Sequence, residues 1–510
     1  MNAPSAELSR AFGVAASLNG VTLDEAEILH RPVLLTAEAA ALQTVNGRWC
    51  FLDCVRLLSR IVGPLTVELP PLERSFEQDL RELIASLSSL GTVVVCADGL
   101  GPELGNFRAI LNVGSEVRPG LPWTSVNSNG WTARVTSGDE PLPSAMNEEN
   151  PIAALMAASL GAAEVFKRIY ELPPQTAPLL PKTQFSLFTF DVDPDGDGPP
   201  LPSKANLPDC VLVGAGAIGN GLALLLSQLK WEGRLHVIDC QDYGGENKGT
   251  CVLLDDPKWI GESKAKCLAN WLGEHSHLKT SYEAAKVNKA RSNACMKTLA
   301  VDLVLTALDD VEARHDAQLF WPSTLIDGGI NPAGCAVVTH RLDQPAAACL
   351  RCMFELPRQD ATAAQQLATG LAADSLQDQE RLLSDADIEF ATESKRPWLR
   401  EMQAQGKTRC AVVGEAMARR LGADFDRGFR PSVPFVATAA AALVIAQAAK
   451  SLYYPDAKFT HHFQIESLFQ GPGCSIATIR RANPNCVCVG HRRVIERLQL
   501  NRQRKVSVGA

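Results

Sequence analysis

The chain has 510 residues, of which 46% are apolar and 21% charged, and its formal net charge is −8. This length exceeds what one hydrophobic core supports, so roughly two to four domains of an ordinary globular protein are expected. The negative charge gives no electrostatic basis for binding nucleic acid and favours a protein partner with a basic face.

Membrane insertion is not expected. No segment reaches the run of about 18 apolar residues that a membrane helix requires, and the most apolar helix, residues 436–449, is predicted to lie in the core. The N-terminus lacks the residue order of a secretory signal, so the chain is expected in the cytoplasm. Its fifteen cysteines then indicate core thiols, metal ligands or nucleophiles rather than disulfides.

Residues 1–190 are predicted to form a first α/β region. Three segments carry apolar residues at helical spacing: residues 22–42, 49–62 and 75–89. Residues 91–97 predict a strand, which resembles the first strand of a nucleotide-binding fold that has lost its glycine turn. Residues 125–139 predict hairpins, and residues 151–170 predict an amphipathic helix.

A linker is predicted at residues 191–204. This segment is rich in Pro, Asp and Gly, and such a composition cannot bury a core. The domain boundary is therefore placed here, and residues 205–510 form the second region.

The second region opens with a βαβ pattern. An apolar strand runs into Gly-Ala-Gly-Ala-Ile-Gly at residues 214–219, a helix rich in Ala and Leu follows, and a second apolar strand ends at Asp239. Gly214 permits a tight turn, Gly216 lets a phosphate approach the backbone, and Gly219 lets helix and strand pack closely. The pattern predicts a nucleotide site, for either a dinucleotide or ATP.

Polar residues continue to follow predicted strands further along. They include Asp242, Asn247, Lys264 at a helix start, Asp309 and Asp327. Because the carboxyl ends of parallel strands meet at one sheet edge, these residues predict a ligand crevice there.

Taken in order, these motifs resemble the ThiF/MoeB/ubiquitin-activating family. The series comprises the glycine turn, Asp239, Asp242, Asn247, Lys264, Asp309 with Arg314, Asp327-Gly-Gly, and paired cysteines, over about residues 205–490. The resemblance implies an α/β fold: a Rossmann-like ThiF adenylation domain preceded by a degenerate, inactive adenylation-like domain. The two halves would form an intramolecular pseudodimer, or the chain a true homodimer.

The resemblance also implies cofactors and site residues. Members of the family use ATP and Mg²⁺. The residues carried over are Gly214, Gly216, Ala217, Ile218 and Gly219 for the nucleotide, Asp239 for the ribose with Asp242 beside it, Asn247 and Lys264 for the phosphates, and Asp309 for Mg²⁺. Thr250 stands where the family usually has an arginine, so either another arginine supplies that charge or the phosphate contacts differ.

The chemistry of adenylation agrees with two of these residues. Attack of a carboxylate on a phosphorus brings anions together, and fixed positive charge and a metal stabilise that transition state. Lys264 would supply the charge and Asp309 would hold the metal. The alternative is a solvated lysine in the first turn of a helix and an aspartate that caps the next helix.

Two cysteine pairs predict a structural Zn²⁺ site. The pairs are Cys349 with Cys352 and Cys486 with Cys488, and four thiolates suit tetrahedral zinc. His491 is an alternative to one thiolate. A redox pair or ordinary core cysteines remain the other interpretations.

Cys410 is the predicted nucleophile. It lies in the segment of about residues 372–433, where the family resemblance places a crossover that carries an acceptor cysteine. Lys407 and Arg409 flank it, and nearby cations favour the reactive thiolate. Cys335 and Cys251 are the rival candidates.

The resemblance implies an activating enzyme for a ubiquitin-like protein. It would adenylate the C-terminal glycine of that protein, form a thioester on Cys410 and pass the protein to a conjugating enzyme, by analogy in a bacterial antiphage defence system. One alternative is an adenylyltransferase for a sulfur-carrier protein in cofactor biosynthesis. A NAD-dependent oxidoreductase and a nonenzymatic scaffold are alternatives from other classes.

Overall fold

The computed structural model describes most of the chain. The described residues are 8–19, 25–28, 30–68, 74–87, 93–97, 101–293, 299–354, 365–366, 368–378, 381–420, 432–454 and 456–509. They divide into two compact units: residues 1–354 with 432–510, and residues 355–431.

The first unit contains a seven-stranded sheet near its N-terminus. Its strands are β1 (Val33–Ala37), β2 (Pro64–Glu68), β3 (Val93–Ala97), β4 (Ala109–Val113), β5 (Trp123–Asn129), β6 (Thr132–Thr136) and β7 (Thr183–Ser186). The spatial order is β3-β2-β1-β4-β5-β6-β7. Pairing is parallel from β3 to β5 and antiparallel from β5 to β7.

An eight-stranded sheet follows in the same unit. Its strands are β8 (Ala205–Val213), β9 (Trp231–Ile238), β10 (Leu278–Glu283), β11 (Leu303–Thr306), β12 (Thr324–Ile330), β13 (Cys335–Arg341), β14 (His462–Ile465) and β15 (Ser475–Thr478). The order is β10-β9-β8-β11-β12-β13-β14-β15. Pairing is parallel up to β12 and antiparallel beyond it.

The two sheets have the same topology over their first seven strands. Each begins with a central strand, adds two strands on one side and four on the other, and reverses direction after the fifth. A long helix, Pro151–Ile169 or Pro434–Tyr453, packs on each sheet, and these two helices contact each other. One continuous apolar core joins both halves, as expected for an internally repeated α/β architecture.

Helices cover the sheets and build the second unit. In the first unit they are Ser9–Asn19, Glu25–Ile28, Ala39–Leu42, Val45–Leu58, Arg74–Leu87, Pro151–Ile169, Ala217–Gln228, Lys264–His275, Val287–Ser292, Val311–Gln318, Leu350–Met353, Pro434–Tyr453, Val487–Gly490 and Arg492–Gly509. In the second unit they are Ala373–Gln377, Asp385–Phe390, Arg396–Ala404 and Arg409–Arg420.

The helix Pro434–Tyr453 is longer than the sequence predicts. Its 20 residues are long and apolar enough to cross a membrane, but 89% of its apolar window is buried inside the protein. Alanines and branched side chains along it are fully buried in the core. The helix therefore belongs to the core, as expected from the sequence.

Two sequence predictions near the N-terminus are wrong. The segment 22–42, predicted as helical, contains the strand Val33–Ala37, and every residue of that strand is buried. A strand buried on both faces is a continuous apolar run, which periodicity does not distinguish from a buried helix. The strand Val93–Ala97 is an edge strand and not the central first strand, and the turn after it lies outside the described residues.

The predicted linker is fixed by specific hydrogen bonds. Asp197 accepts from the amide of Asn129 at 2.8 Å and pairs with Arg134 at 2.8 Å. The indole of Trp131 donates to the carbonyl of Pro199 at 2.7 Å. A segment that cannot bury a core is thus held by its polar groups against the first sheet.

A buried carboxyl group lies where helices of the two halves meet. Asp53, on helix Val45–Leu58, is 1% exposed and accepts from Gln228 at 3.4 Å. Burial raises the pKa of Asp53 to about 7, and the nearby charge of Arg56 opposes that shift. The carboxyl group of the folded chain is therefore mostly neutral below about pH 7.

Replacing Asp53 with asparagine should remove a pH dependence of stability. The unfolded-state pKa is near 3.8, so the unfolded chain releases this proton first, and stability falls as pH rises from about 4 through about 7. The full effect is on the order of 4 kcal/mol at most. Thermal melts at pH 5 and pH 8 should show Asp53→Asn more stable than the parent mainly at pH 8. Identical profiles for the two proteins would contradict this expectation.

Candidate functional site

The glycine turn after β8 has the geometry of a phosphate cradle. Gly214 has a φ of +98°, and a Cβ there would collide with the carbonyl of Ala307. A Cβ on Gly216 would meet nothing within 4 Å, so the space beside this residue is open. Helix Ala217–Gln228 starts directly after it, and its unpaired N–H groups can face an anion. The side chain of Ile218 is buried in the core, so only its backbone can contribute to an anion site at this turn.

Strand register brings the predicted residues to one sheet edge. Val213 at the end of β8 pairs with Ile238 of β9 on one side and with Thr306 of β11 on the other. Asp239 follows β9 and accepts from the N–H groups of Ala215 at 2.7 Å and Gln241 at 2.8 Å. Its carboxylate is therefore fixed beside the glycine turn.

Asn220 supports this turn, although the sequence analysis did not single it out. It is fully buried, and its amide donates to the carbonyls of Ala215 at 3.0 Å and Gly216 at 2.9 Å. It also lies 3.0 Å from the hydroxyl of Tyr243. The sequence signal that could have identified Asn220 is its position four residues after Gly216, in the first turn of the helix that follows the glycine turn.

Lys264 is buried, so its interpretation as a solvated lysine is wrong. Its side chain begins helix Lys264–His275, is 6% exposed and donates to the side chain of Gln241 at 2.9 Å. The ammonium lies 5.9 Å from the ring centre of Tyr243. The hydroxyl of Tyr243 also donates to the carbonyl of Ala215 in the glycine turn at 3.2 Å. Tyr243 therefore contacts both the buried ammonium and the glycine turn.

A short backbone pairing explains this placement. Residues 241–243 lie against residues 260–264, where Tyr243 accepts from the N–H of Gly261 at 2.8 Å and Lys264 donates its N–H to Gln241 at 3.0 Å. The exposed Asp242 forms a bridge with Ser263 in the same pairing. Asp242 and Lys264 are thereby brought to the same place from separate parts of the chain.

The loop with Asn247 and Thr250 contacts the first half of the chain. Asn247 is buried and accepts from the N–H of Gly244 at 3.0 Å. Thr250, at the position of the absent arginine, is also buried. Arg60 reaches this loop from the first half, donates to the carbonyl of Lys248 at 3.1 Å and pairs with Asp255.

A second arginine from the first half lies near this loop. Arg10 is on helix Ser9–Asn19, which packs against residues 245–249. It donates to the hydroxyl of Ser432 at 3.5 Å. Burial raises the pKa of the Cys251 thiol, while the positive charges of Lys264, Arg10 and Arg60 oppose that shift. All three cations therefore act electrostatically on Cys251, the residue after Thr250.

Asp309 is exposed and follows β11 at the same sheet edge. The helix cap belongs to its neighbour, since Asp310 accepts from the N–H of Ala313 at 2.6 Å. The interpretation of Asp309 as that cap is therefore wrong. An exposed carboxylate at a phosphate crevice suits Mg²⁺, which is commonly bound by one or two carboxylates together with substrate phosphates and water.

The equivalent place in the first sheet is filled by the chain itself. Ala37 pairs with Val113 as Val213 pairs with Thr306, so Glu38 stands where the second half has Gly214. The Glu38 carboxylate accepts from the N–H of Glu116 at 2.6 Å and from the N–H of Ser115. A side-chain carboxylate thus occupies the anion position of the first half.

The two cysteine pairs come together. All four ligand sulfurs of Cys349, Cys352, Cys486 and Cys488 lie within 4.8 Å of one another. Zn–S bonds of about 2.3 Å in a tetrahedron require sulfurs about 3.8 Å apart, and three of the observed separations are 3.8, 3.7 and 3.6 Å. The cluster could therefore hold Zn²⁺. His491 lies outside this group, so it does not replace a thiolate.

Backbone pairing and hydrogen bonding complete this cluster. Ala348 donates to the carbonyl of Arg480 at 2.9 Å, which joins the two distant cysteine segments. Hydrogen bonds from the neighbouring thiols, that of Cys349 first, lower the pKa of Cys352. The N–H of Asn483 also donates to the Cys352 sulfur at 3.3 Å. Such donors stabilise a thiolate ligand.

Replacing Cys349 or Cys486 with serine should remove the metal and destabilise the protein. Metal-bound thiolates contribute folding energy, so elemental analysis should find about one zinc per chain in the parent and much less in either variant, with a lower melting temperature. Cys474→Ser is the matched control for Cys486→Ser, because Cys474 is half-buried like Cys486 but lies outside the cluster. Metal-free parent protein of full stability would contradict the site.

Cys410 lies in the second unit, on the first turn of helix Arg409–Arg420. The hydroxyl of Thr408 caps that helix by accepting from Ala411 at 3.3 Å, and the thiol is exposed. The flanking cations are already paired, Lys407 with Glu415 and Arg409 with Asp387 at 3.0 Å. Both cations predicted to assist the thiol are thus partly neutralised.

The rival cysteines differ from Cys410 in burial. Cys335 and Cys251 are buried, and burial raises the pKa of Cys335 to about 12. Cys240, which the sequence analysis did not consider, is exposed directly after Asp239. Burial, followed by the charge of Asp239, raises the pKa of the Cys240 thiol. Exposure therefore leaves Cys410 and Cys240 as the accessible candidates among these four.

Sequence comparisons identify related proteins. The chain matches the ThiF family over residues 203–488, more than half of its length. It is similar to the uncharacterized protein y4jF of Sinorhizobium fredii (strain NBRC 101917 / NGR234), with 28% identity over 308 residues. That alignment covers 59% of this chain and 56% of the relative, so the chain spans about half of that protein.

Solved structures show weaker similarity. E. coli MccB with ATP has a TM-score of 0.35 and 14% identity, and the match covers 56% of this chain and 67% of that one. The microcin C7 biosynthetic enzyme MccB in complex with N-formylated MccA has a TM-score of 0.34 and 12% identity, with 72% and 97% covered. PaaA has a TM-score of 0.30 and 17% identity, with 54% and 72% covered. TM-scores this low establish no functional likeness.

Proposed function

The chain belongs to the ThiF family, and from that premise we propose that it adenylates the C-terminal glycine of a ubiquitin-like protein and then holds that protein as a thioester. The carrying observation is the buried ammonium of Lys264 on the wall of an open glycine turn. A buried cation at a nucleotide crevice suits a reaction in which negative charge accumulates. A dehydrogenase site has no such requirement.

The first proposed step joins a carboxylate to AMP. A carboxylate oxygen of the terminal glycine attacks the α-phosphorus of ATP, the bond to the β-phosphate breaks, and pyrophosphate leaves. The turn at residues 214–219 holds the phosphates, Asp239 accepts from the ribose hydroxyls, and Asn247 and Lys264 contact phosphate oxygens. Mg²⁺ held through Asp309 would neutralise phosphate charge.

Arg10 is proposed to supply the charge that Thr250 lacks. Its helix packs against the loop of residues 245–249, and its charge acts on Cys251, the next residue after Thr250. The first half of the chain would then complete the site of the second.

The first half is proposed to be an inactive adenylation-like domain. Residues 1–190 repeat the sheet topology of the second half, but Glu38 occupies the anion position. With the linker at residues 191–204 and the domain at residues 205–510, the chain would be an intramolecular pseudodimer. ATP binding should then saturate at about one nucleotide per chain, because the open glycine turn found among the described residues is that of residues 214–219.

The second proposed step uses Cys410. Its sulfur attacks the adenylate carbonyl, the thiol proton leaves and AMP departs, which forms a thioester that a conjugating enzyme can accept. Support comes from the exposure of Cys410 and from the compact unit of residues 355–431, which overlaps the predicted crossover segment 372–433. Antiphage defence is the proposed setting by analogy only.

One observation favours a second candidate function. Lys407 and Arg409, the two cations beside Cys410, pair with the carboxylates of Glu415 and Asp387. Their positive charge is therefore partly neutralised and favours the thiolate of Cys410 less. An adenylyltransferase for a sulfur-carrier protein would need no thioester on this cysteine. The two functions share the first step and differ in the second.

Pyrophosphate exchange tests the shared first step. The protein is incubated with ATP, Mg²⁺, labelled pyrophosphate and a panel of ubiquitin-like proteins that end in glycine. Label should enter ATP with at least one panel member, and the same protein without its terminal glycine should give none, because the attacking carboxylate is displaced. Absence of exchange with every member, together with reduction of NAD⁺ or oxidation of NADH in a parallel incubation that contains this cofactor, would support an oxidoreductase instead.

A further inference from the structure

Arg314 joins three separate parts of the second half. It lies on helix Val311–Gln318, is 8% exposed, and its Nε donates to Asp327 Oδ2 at 3.1 Å and Oδ1 at 3.3 Å. A second guanidinium nitrogen donates to the carbonyl of Leu308. The guanidinium also lies over the ring of Phe354, 4.5 Å from its centre.

Asp327 is the anchor of this arrangement. It lies in β12 and is 2% exposed. Burial raises the pKa of this carboxyl group to about 6, and Arg314 opposes that shift; the hydroxyl of Thr306 donates to the same carboxyl group. A buried ion pair is expensive to desolvate and contributes little net stability compared with apolar packing. The ion pair of Arg314 and Asp327 is therefore better explained by the loop conformation that it holds than by a contribution to stability.

The geometry that it fixes is that of the loop after β11. Leu308 directly precedes Asp309, so the contact from Arg314 sets the peptide plane from which the exposed Asp309 projects. Asp310 caps the helix that carries Arg314, so both ends of this short loop are held. The backbone on either side of Asp309 is therefore held by these two constraints.

We propose that Arg314 is a positioning residue that orients Asp309 for nucleotide-bound Mg²⁺ by holding the Leu308 carbonyl against the Asp327 anchor. This inference rests on the adenylation proposed above. Arg314 itself touches neither nucleotide nor metal in this scheme. Groups that orient a metal ligand from behind commonly change metal affinity by about 10–100-fold when they are replaced.

Arg314→Lys separates positioning from charge. Lysine keeps a cation beside Asp327, but its ammonium is a point charge without the planar fork that reaches a carboxylate and a carbonyl together. The loop should therefore lose its anchor while the buried carboxylate keeps a counter-ion. Ligand-free stability should fall moderately, and the metal-dependent property should fall further.

Thermal shift is the first readout because it does not depend on activity. Melting temperatures are measured without nucleotide, with ATP in EDTA, and with ATP over a range of Mg²⁺ concentrations. The parent should gain stability from ATP alone and a further increment from Mg²⁺. Arg314→Lys should keep the shift from ATP alone, while the Mg²⁺ concentration that gives half of the increment should rise by about tenfold or more.

Arg134→Lys is the matched control. Arg134 is also buried and also binds one carboxylate and one carbonyl, those of Asp197 and Ala145, both at 2.8 Å. It belongs to the first sheet and has no place in the proposed site. This variant should lose ligand-free stability but keep the parent response to Mg²⁺. Asp327→Asn, which releases the anchor, serves if Arg314→Lys does not fold and should also weaken the response.

The possible failures are distinguishable. An unchanged Mg²⁺ response in Arg314→Lys, beside a normal parent response, overturns the positioning role and leaves the adenylation proposal intact. An equal loss of the ATP-alone and Mg²⁺ shifts shows a merely structural role and overturns it as well. A parent that ATP does not stabilise overturns the nucleotide site and this inference together.

Discussion

Replacing Lys264 with methionine should lower pyrophosphate exchange by at least about 100-fold, since a preorganised charge in a water-poor site contributes this much to a transition state. Lys264 is 6% exposed, and its ammonium donates to Gln241 at 2.9 Å beside the glycine turn. Methionine preserves the length and the apolar part of the side chain. The fold should therefore survive and the loss should fall mainly on kcat.

Lys266→Met is the control for this variant. Lys266 is on the same helix, two residues away, but its side chain is 45% exposed and pairs with Glu262 at 2.8 Å on the surface. Surface ion pairs of this kind contribute little, so exchange should stay within about twofold of the parent. Equal rates for Lys264→Met and the parent would remove Lys264 from the proposed phosphoryl chemistry.

Local sequence patterns predicted the βαβ unit with its glycine turn well. The glycine turn, its helix and the strand before Asp239 occur as expected because each depends on residues close in sequence. The strand Val33–Ala37 was missed because burial on both faces removes the alternation that identifies a strand. This prediction failed because the burial of a strand depends on the packing of distant residues, which the local sequence pattern does not show.

Properties that depend on distant residues could not be read from the sequence. Lys264 is buried because residues 241–243 pair with residues 260–264, and nothing in a helix start indicates that burial. The four cysteines meet because residues 346–348 pair with residues 480–482 across more than a hundred residues. Ion pairing between distant residues was likewise not predictable. Lys407 and Arg409 were expected to favour the thiolate of Cys410, but in the structure they pair with the carboxylates of Glu415 and Asp387.

Replacing Cys410 with alanine should separate the two proposed chemical steps. Adenylation uses groups at the edge of the second sheet, so pyrophosphate exchange should remain within about twofold of the parent. The thioester needs the sulfur, so the conjugate with the ubiquitin-like protein that thiols cleave should disappear from nonreducing gels. Cys410 is exposed on the first turn of a helix, where a bulky protein substrate can reach it.

Cys410→Ser and Cys240→Ala complete the test. Serine should give an ester that resists thiols and accumulates, because an oxygen ester exchanges with a thiol far more slowly than a thioester. Cys240 is the other exposed candidate and follows Asp239, so its alanine variant should keep the reducible conjugate if Cys410 is the acceptor. A conjugate that survives in Cys410→Ala but vanishes in Cys240→Ala would move the nucleophile to the nucleotide crevice. The remaining outcome is a parent protein that exchanges pyrophosphate but forms no thioester. Cys410 would then not be an acceptor, in agreement with the pairing of Lys407 and Arg409 with carboxylates. The adenylate would pass directly to another acceptor, as in the sulfur-carrier alternative.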